Sequence, residues 1–485
     1  MGLLINTVKG MAWTTTSTII RSVVSLLQIS ILTRFLEKSE FGLIAIATLF
    51  IGFTQIFLDL GLSSGIMHKQ NITSKQYSSL FWLNIFTGII LTLILIAFIP
   101  FIANAYNDTS LIPILTFLSI TVFFASLGSQ HRTVQQKEMR FKYIAIIEIT
   151  SSTLTMVLAV ILAISGYGVY SLVYSTLFNA ILNNLLFLII GLYNDKNIRL
   201  YFRLYETYPF LKIGIFSIGS QVLDYFSREI DVIFISTIFG KEILGVYSLC
   251  KKLILALYGT VNPIITKVLT PLFAKIQTDK SRIKNVFYNL IETLSLTNFP
   301  IYFLVSIFST GILSFIYGED YTEGAFILSI LSVYYGKLSI GNPVGSLQVA
   351  LGRTDAGFYW TIFRVVLTSL AIYVGSYFRI EVLVLSMLIM SFLSSPLSWR
   401  ITIRPLIGGK FWEYFLLSFK PLVVTFIISI PFYIFLFNTT SIYLMIIFAV
   451  LFMLISVFAN YIFFPKSYIF SILRLQILKN TRSIM

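Results

Sequence analysis

Long apolar runs without a charged residue decide the fold class of this chain. The runs LFWLNIFTGIILTLILIAFIPFI (residues 80–102) and LMIIFAVLFMLISVFANYIFF (444–464) each have the roughly 20 residues that a helix needs to cross a bilayer. Only 11% of all residues are charged, whereas a soluble domain has about 25%. Because a soluble protein could not keep so much apolar surface from water, we predict an all-α polytopic membrane protein.

The apolar runs between polar breaks predict about 14 transmembrane helices. Their approximate ranges are 10–34, 41–66, 79–103, 111–130, 143–165, 168–193, 210–239, 244–270, 286–316, 324–350, 357–377, 381–403, 413–437 and 441–464. The first run contains Arg21 and is longer than the apolar region of a signal peptide, and no small-x-small cleavage site follows it. We therefore expect this run to remain as the first helix.

The loops carry Lys and Arg unevenly, which predicts the orientation. With the N-terminus inside, 24 Lys and Arg residues fall on the cytoplasmic side. The opposite side has only Arg34, Lys38, Lys241 and Arg379, together with eight acidic residues. Both termini are therefore expected in the cytoplasm. The net charge of +15 then reflects membrane orientation and not nucleic-acid binding.

Two faint self-matches indicate that the first twelve helices are a duplication. Residues 33–47 match residues 236–250 at an offset of 203, which pairs Gly42 with Gly245, and a later match has an offset of 216. A unit of six helices begins and ends on the same side of the membrane, so the second unit has the same orientation as the first. The two lobes would then be related by a pseudo-twofold axis along the membrane normal. The predicted parts are an N-lobe (1–193), a cytoplasmic linker (194–209), a C-lobe (210–404), and two C-terminal helices with a cytoplasmic tail (405–485).

Charged side chains inside the predicted helices are the candidate functional residues, because a charge that faces lipid costs at least a few kcal/mol. In DYFSREID (224–231), Asp224, Arg228 and Asp231 share one helical face, so Arg228 can pair with either acid. The basic candidates for an anion-binding cavity are Arg21, Arg228, Lys251, Lys252, Lys337 and Arg364. The acidic candidates for ion coupling or gating are Asp59, Glu148, Asp224, Asp231 and Glu292.

The repeat places opposite charges at equivalent positions. Arg21 corresponds to Asp224, and Glu148 corresponds to Arg364. This arrangement suggests ion pairs between the two halves that form in one state and open in another, although static pairs that fix helix packing are the alternative. A cavity lined by Arg and Lys would attract anions and bind phosphate, Arg by paired hydrogen bonds and Lys by its charge.

The motifs of several other chemistries are missing from the sequence. His68 and His131 are the only histidines, both expected in cytoplasmic loops, so we predict no metal site. The sequence has no phosphate-cradling P-loop, and we expect no cofactor. The outer loops have at most about seven residues. Since no loop has room for a catalytic domain, we expect that the protein is not an enzyme.

Three stretches carry a resemblance to a known family: TVKGMAWTTTSTIIRSVVSLLQISILTRFLEKSEFGLIAIA (7–47), QHRTVQQKEMRFKYIAIIEITSS (130–152) and SLQVALGRTDAGFYWTIFR (346–364). The chain resembles the Wzx-type polysaccharide flippases, near the colanic-acid exporter branch, of the multidrug/oligosaccharidyl-lipid/polysaccharide exporter superfamily. The resemblance covers nearly the whole chain. It implies two six-helix lobes that move undecaprenyl-pyrophosphate-linked oligosaccharide from the cytoplasmic to the outer leaflet by alternating access.

The resemblance also implies site residues and partners. Arg21 matches the basic position in helix 1 with which related lipid flippases bind pyrophosphate. Lys251 and Lys252 take the corresponding role in helix 8. Lipid II flippases have a basic residue in helix 2, where this chain has Asp59, which argues against lipid II as cargo. We expect a monomer in the bacterial cytoplasmic (inner) membrane, among membrane lipids, with glycosyltransferases and a glycan polymerase of O-antigen-like polysaccharide synthesis as partners.

Two other functions fit the sequence less well. A drug or cation antiporter of the same superfamily would require carboxylates in the N-terminal half of the cavity, where helix 1 presents only Arg21. A membrane glycan polymerase or ligase would require acceptor chemistry on a sizeable outer loop.

Overall fold

All regular secondary structure in the described part of the chain is helical. A computed structural model describes residues 2–69, 71–194, 200–436, 441–465 and 467. The all-α fold class is therefore confirmed. Residues 195–199 of the predicted linker and the predicted tail beyond residue 467 lie outside the described residues.

Every one of the fourteen predicted segments corresponds to helix. The first nine helices are α1 (Gly2–Leu32), α2 (Lys38–Leu58), α3 (Leu62–His68), α4 (Ser74–Ala105), α5 (Leu111–Lys137), α6 (Phe141–Ile164), α7 (Tyr170–Asn194), α8 (Leu204–Ile238) and α9 (Gly240–Lys275). The others are α10 (Lys280–Ile307), α11 (Ser309–Tyr317), α12 (Ala325–Ile340), α13 (Asn342–Ala350), α14 (Thr354–Ser376), α15 (Ile380–Leu393), α16 (Ser395–Ser398), α17 (Arg404–Ile407), α18 (Phe411–Leu436) and α19 (Ile442–Phe463), with a 3₁₀ turn at Glu319–Gly324 and a π-helical turn at Trp399–Ile403.

Most of these helices can cross a membrane. Among the described residues, eleven helical spans are long and apolar enough, and the bent pair Ile380–Leu393 and Ser395–Ile407 makes a possible twelfth. The long helices α8 and α9 are outside this set, and they carry the charged candidates of residues 224–252. The predicted count of fourteen includes these two charged helices and is compatible with the structure.

Four predicted segments are interrupted, and the sequence at two of the breaks explains why. Between α2 and α3 the backbone turns at Leu60 and Gly61, which have φ of 46° and 68°. This left-handed conformation suits glycine. The segment 381–403 breaks before Pro396, because proline lacks the backbone N–H that a continuous helix would need.

The chain divides into two compact units, residues 1–248 and 249–485, and the boundary falls within α9. In the first unit, α8 packs against α2 and α3. Tyr225 of α8 donates a hydrogen bond to the carbonyl oxygen of Leu49 at 2.5 Å. The helix predicted to open the C-lobe thus has close contacts within the first unit, and the lobe limits at residues 193 and 210 remain a prediction.

In the second unit, α10 packs against α12 and α18 around a core that includes Phe287, Phe303 and Phe432. Asp279 caps α10, since its carboxylate accepts a hydrogen bond from the backbone N–H of Arg282 at 3.0 Å. This bond lowers the pKa of the Asp279 carboxyl from its usual value.

Gly42 and Gly245, which the repeat pairs, make a reciprocal contact near the starts of α2 and α9. A methyl group on Gly42 would lie 1.8 Å from the carbonyl oxygen of Lys241, and one on Gly245 would lie 1.9 Å from that of Lys38. Lys38 and Lys241 are themselves 203 residues apart, the offset of the sequence match. The two glycines thus make matching contacts at equivalent positions of the predicted repeat, and the repeat itself remains a prediction.

Candidate functional site

In the first unit, a buried carboxylate contacts two arginines. Glu148 on α6 is 8% exposed, and its Oε2 lies 3.2 Å from Nη1 of Arg21 on α1. Its Oε1 accepts hydrogen bonds from Nη2 of Arg132 at 2.9 Å and from Nε at 3.2 Å. The Arg21 and Arg132 side chains remain 41% and 48% exposed. This Arg21–Glu148–Arg132 cluster therefore presents two accessible guanidinium groups with one excess positive charge.

Arg132 is a site residue that the sequence did not indicate. The predictions that this helix ends at residue 130 and that His131 lies in a loop are wrong. Helix α5 continues to Lys137 and carries Arg132 alongside α6, while His131 is 2% exposed. A usable signal was present, because SQHRTVQQK (129–137) is polar but contains no glycine or proline that would end a helix.

Helix α8 carries the charges of DYFSREID in two different settings. Arg228 and Asp224 form an i, i+4 pair at 2.5 Å, with 71% and 45% of their side chains exposed. Asp231 is 3% exposed; its carboxylate accepts hydrogen bonds from the Tyr247 hydroxyl and from the backbone N–H of Val232. Asp224 and Asp231 thus have partners on α8 and α9.

The predicted pair between Arg21 and Asp224 is not formed. Arg21 lies against Glu148, and Asp224 lies against Arg228. An i, i+4 partner on the same helix is always within reach, whereas a partner on a distant helix requires a particular packing. The fact that two positions are equivalent in the predicted repeat does not bring their side chains together.

Three other candidates lie elsewhere. Asp59 caps α3, because its carboxylate accepts hydrogen bonds from the Ser63 backbone N–H at 3.1 Å and from the Ser63 hydroxyl at 2.6 Å. On α9, Lys251 is 3% exposed while Lys252 is exposed.

Glu292 lines a pocket in the second unit with Lys284, Glu413 and Lys420. This pocket is separate from the one described next, because the two share no lining residue.

Lys337 and Arg364 both line a cavity of about 360 Å³ in the second unit. Its wall comes from α12, α13, α14, α15 and α18, with one residue each of α9 and α10 and residues of the α16 and π-helical segment. The polar lining includes Asn342, Gln348, Thr361, Ser391, Ser395 and Ser398. No aspartate or glutamate is among the lining residues that the structure describes. We call this the Lys337–Arg364 cavity.

Several donors in the cavity wall are unused. Arg364 Nε and Asn342 Nδ2 are buried and have no hydrogen-bond acceptor in the described part of the chain. Lys337 Nζ lies 5.1 Å from the centre of the Phe392 ring, and no described carboxylate lies within ion-pair distance of it. Leaving such a buried donor unpaired costs about 1–3 kcal/mol, and more for charged groups. The cavity thus has two basic side chains, Lys337 and Arg364, and no described carboxylate in its lining.

Two interrupted helices form part of this wall. The break between α12 and α13 is at Gly341, and the axis bends by 42° between α15 and the segment Ser395–Ile407. Irregular backbone at membrane depth is tolerated where it lines a cavity, and transporters use such broken helices to build substrate sites. Gly341 and Ser394 lie at these breaks and line the cavity.

Comparison with known sequences and structures gives consistent matches. The family described as "Polysaccharide biosynthesis protein" matches residues 31–325. The lipopolysaccharide biosynthesis protein WzxC of Escherichia coli (strain K12) is 28% identical over 449 residues, 89% of each chain. The teichuronic acid biosynthesis protein TuaB of Bacillus subtilis (strain 168) is 29% identical over 354 residues, 73% of each chain.

Two solved structures show the same fold. The lipid II flippase MurJ in an inward closed conformation has a TM-score of 0.74 at 16% identity, covering 94% of this chain and 99% of that one. An inward-facing multidrug resistance MATE family transporter of the MOP superfamily has a TM-score of 0.62 at 13% identity, covering 82% of this chain and 94% of that one. The chain therefore has the fold of these membrane transporters.

Proposed function

Because the chain belongs to the polysaccharide biosynthesis protein family, we propose that it is a flippase for undecaprenyl-pyrophosphate-linked oligosaccharide. In this proposal it moves the lipid-linked glycan from the cytoplasmic to the outer leaflet by alternating access. The observation that carries the proposal is the Arg21–Glu148–Arg132 cluster, which presents two half-exposed guanidinium groups on membrane-spanning helices.

The cluster has the chemistry to bind a pyrophosphate. Guanidinium groups bind phosphate oxygens through paired, charge-assisted hydrogen bonds. The Arg21 side chain is 41% exposed, so the guanidinium group is accessible to a ligand. Glu148 orients both arginines and limits the excess charge of the empty site. The related position in helix 1 of lipid flippases supports Arg21 as the primary contact.

The remaining candidates take secondary roles in this proposal. Arg228, Lys251 and Lys252 belong to the anion-binding set, with Lys337 and Arg364 in the second unit. Glu148 is the first candidate for gating, because an approaching phosphate would compete with it for both arginines. The acids Asp59, Asp224, Asp231 and Glu292 remain secondary candidates for ion coupling.

The cellular setting follows from the same proposal. The protein is a non-enzymatic transporter of the bacterial inner membrane, monomeric, with both termini in the cytoplasm. Glycosyltransferases that build the glycan and a polymerase that extends it would act before and after this step. A pyrophosphate diester carries about two negative charges, and each gains about 2.3 kcal/mol per 100 mV on leaving a negative-inside cell. The membrane potential would therefore favour export.

Substitution of the arginines tests the proposal. We expect Arg21→Gln and Arg132→Gln each to slow flipping of the lipid-linked oligosaccharide by about tenfold or more, because each removes a charge-assisted contact. The measurement is the accessibility of the glycan at the outer leaflet of proteoliposomes over time, together with its accumulation at the inner leaflet in cells.

Arg140→Gln is the matched control, because Arg140 pairs with the half-exposed Glu138 away from Glu148. It should flip at the wild-type rate. Wild-type flipping by both Arg21→Gln and Arg132→Gln would refute the assignment of the pyrophosphate to this cluster.

A further inference from the structure

A second pocket of the second unit has two acidic and two basic side chains in its lining. It lies where the first turns of α10 and α18 meet the end of α19, and its volume is about 540 Å³. Lys284 Nζ and Glu413 Oε2 form an ion pair at 3.2 Å. The side chains of Glu292 and Lys420 form no ion pair or hydrogen bond within the described part of the chain. One negative and one positive charge are therefore unpaired in this Glu292–Lys420 pocket.

The two unpaired side chains lie at a similar depth. The Lys284–Glu413 pair holds the beginnings of α10 and α18 at one level. Glu292 follows Lys284 by eight residues, and Lys420 follows Glu413 by seven. At about 1.5 Å per residue, both lie about 10–12 Å further along their helices. Because both line the same pocket without pairing, a ligand that bridges them needs a cationic group and an anionic group.

The surroundings of the pocket are apolar and accessible. One face of α18 lines the Lys337–Arg364 cavity and another lines this pocket. In the pocket lining, Leu416 is 37% exposed and Phe463 is 66% exposed. Further along α10 and α19 is an apolar groove, lined by Leu304, Ala449, Val450, Met453, Leu454 and Val457. Val457 precedes Phe463 by six residues, about 9 Å of helix, so a hydrocarbon chain can reach from the pocket into the groove.

These features favour a zwitterionic phospholipid over other ligands. A soluble zwitterion would leave the apolar lining and the groove without a partner, and an anionic lipid would add negative charge beside Glu292. Phosphatidylethanolamine has an ammonium group with three N–H donors, a phosphate group and two acyl chains. Its headgroup therefore matches both unpaired side chains, and its chains match the apolar surface beside them.

We propose that the Glu292–Lys420 pocket binds a phosphatidylethanolamine molecule of the bilayer. The ammonium group lies at Glu292, the phosphate group lies at Lys420, and one acyl chain occupies the groove between α10 and α19. The volume of about 540 Å³ is in the range of roughly 300–1,000 Å³ that is common for small-ligand sites. This inference goes beyond the flippase proposal and does not depend on it.

Lipid binding to the purified, delipidated full-length protein tests the pocket. Native mass spectrometry compares phosphatidylethanolamine, phosphatidylcholine and phosphatidylglycerol with identical acyl chains. We expect phosphatidylethanolamine to bind about tenfold or more tightly than the other two. Phosphatidylcholine has no N–H donor for Glu292, and phosphatidylglycerol has no positive charge. Equal affinity for phosphatidylethanolamine and phosphatidylcholine, or tighter binding of phosphatidylglycerol, would overturn the proposal.

Matched variants locate the lipid. Glu292→Gln should weaken binding of phosphatidylethanolamine about tenfold and remove its preference over phosphatidylglycerol, because the charge that selects the ammonium group is gone. Lys420→Gln should weaken binding but keep that preference. Lys275→Gln, an exposed lysine of α9 outside the pocket, should bind as the wild type does. An unchanged lipid preference in Glu292→Gln would refute the pocket. If that variant does not fold, the comparison of lipids on the wild-type protein decides.

Competition distinguishes a bilayer lipid from the exported cargo. Undecaprenyl pyrophosphate has no ammonium group, so we expect that an equal concentration does not displace phosphatidylethanolamine. Complete displacement would assign the pocket to the cargo and refute this proposal. The flippase proposal is tested separately by the flipping rates of the Arg21 and Arg132 variants, so either proposal can fail while the other stands.

Discussion

At the position of Glu148, one buried carboxylate contacts arginines from two other helices. A carboxylate in a low-dielectric setting requires such partners, and removing it would leave two guanidinium groups close together without a counter-charge. The arginines are nearly half exposed, so water and a bound anion can still reach them. Glu148 therefore both holds α1, α5 and α6 together and keeps the arginines ready for a ligand.

Glu148→Gln should destabilise the protein. We expect a loss of about 1–3 kcal/mol, less than for a fully buried ion pair because both arginines remain partly hydrated. The measurement is the midpoint of thermal unfolding of the detergent-purified variant, with the loss of folded protein read by size-exclusion chromatography. Glu138→Gln removes the half-exposed partner of Arg140 and should change stability by less than about 1 kcal/mol. If the two variants unfold alike, Glu148 does not have the structural role described.

At the scale of helices, the start of α2 and the start of α9 approach closely enough that only glycine fits. The hypothetical methyl groups on Gly42 and Gly245 would collide with backbone carbonyl oxygens, which cannot rotate away as a side chain can. This contact fixes the N-terminal turns of two helices that the predicted repeat makes equivalent. By contrast, an added methyl group on Gly219 of α8 meets nothing within 4 Å.

Gly42→Ala and Gly245→Ala should destabilise the protein to a similar extent, by about 1–3 kcal/mol each, because overpacking forces the backbone to shift. Gly219→Ala should be neutral or slightly stabilising, since alanine favours helix and meets no obstacle. The midpoint of thermal unfolding, with protein yield as a second readout, compares the three variants. Equal midpoints for Gly42→Ala and Gly219→Ala would contradict the close contact.

Much of the architecture and part of the candidate site could be predicted from the sequence. Apolar runs are a local property, so all fourteen helical segments and the charged positions within them were predictable. Partner choice is not local: the link from Arg132 to Glu148, and that from Tyr247 to Asp231, depend on how distant segments pack. The cavity around Arg364 also depends on how separate helices pack, although Gly341 and Pro396 mark its two helix breaks in the sequence.

At the scale of the whole molecule, the distribution of Lys and Arg predicts which loops face the cytoplasm. The single cysteine makes this prediction simple to test, since Cys250 is fully buried and can be replaced to give a cysteine-free background. Thr109, before α5, and Gln277, between α9 and α10, are both exposed. They lie in loops predicted to face opposite sides.

In the Cys250→Ser background, Thr109→Cys should react with a membrane-impermeant maleimide in intact spheroplasts. Gln277→Cys should react only after permeabilisation, because its loop is predicted to be cytoplasmic. The measurement is the extent of labelling of the affinity-purified protein. Labelling of Gln277→Cys in intact spheroplasts would reverse the predicted topology.

The reciprocal glycine contact also limits how this chain can change over evolutionary time. Each glycine faces a peptide carbonyl, which every amino acid contributes, so no exchange of the lysine opposite can relieve a larger residue. A genetic suppressor of Gly42→Ala must therefore arise where the backbone path itself is altered, and not at residue 241. If the two halves came from one duplicated segment, neither half has been free to diverge at this point.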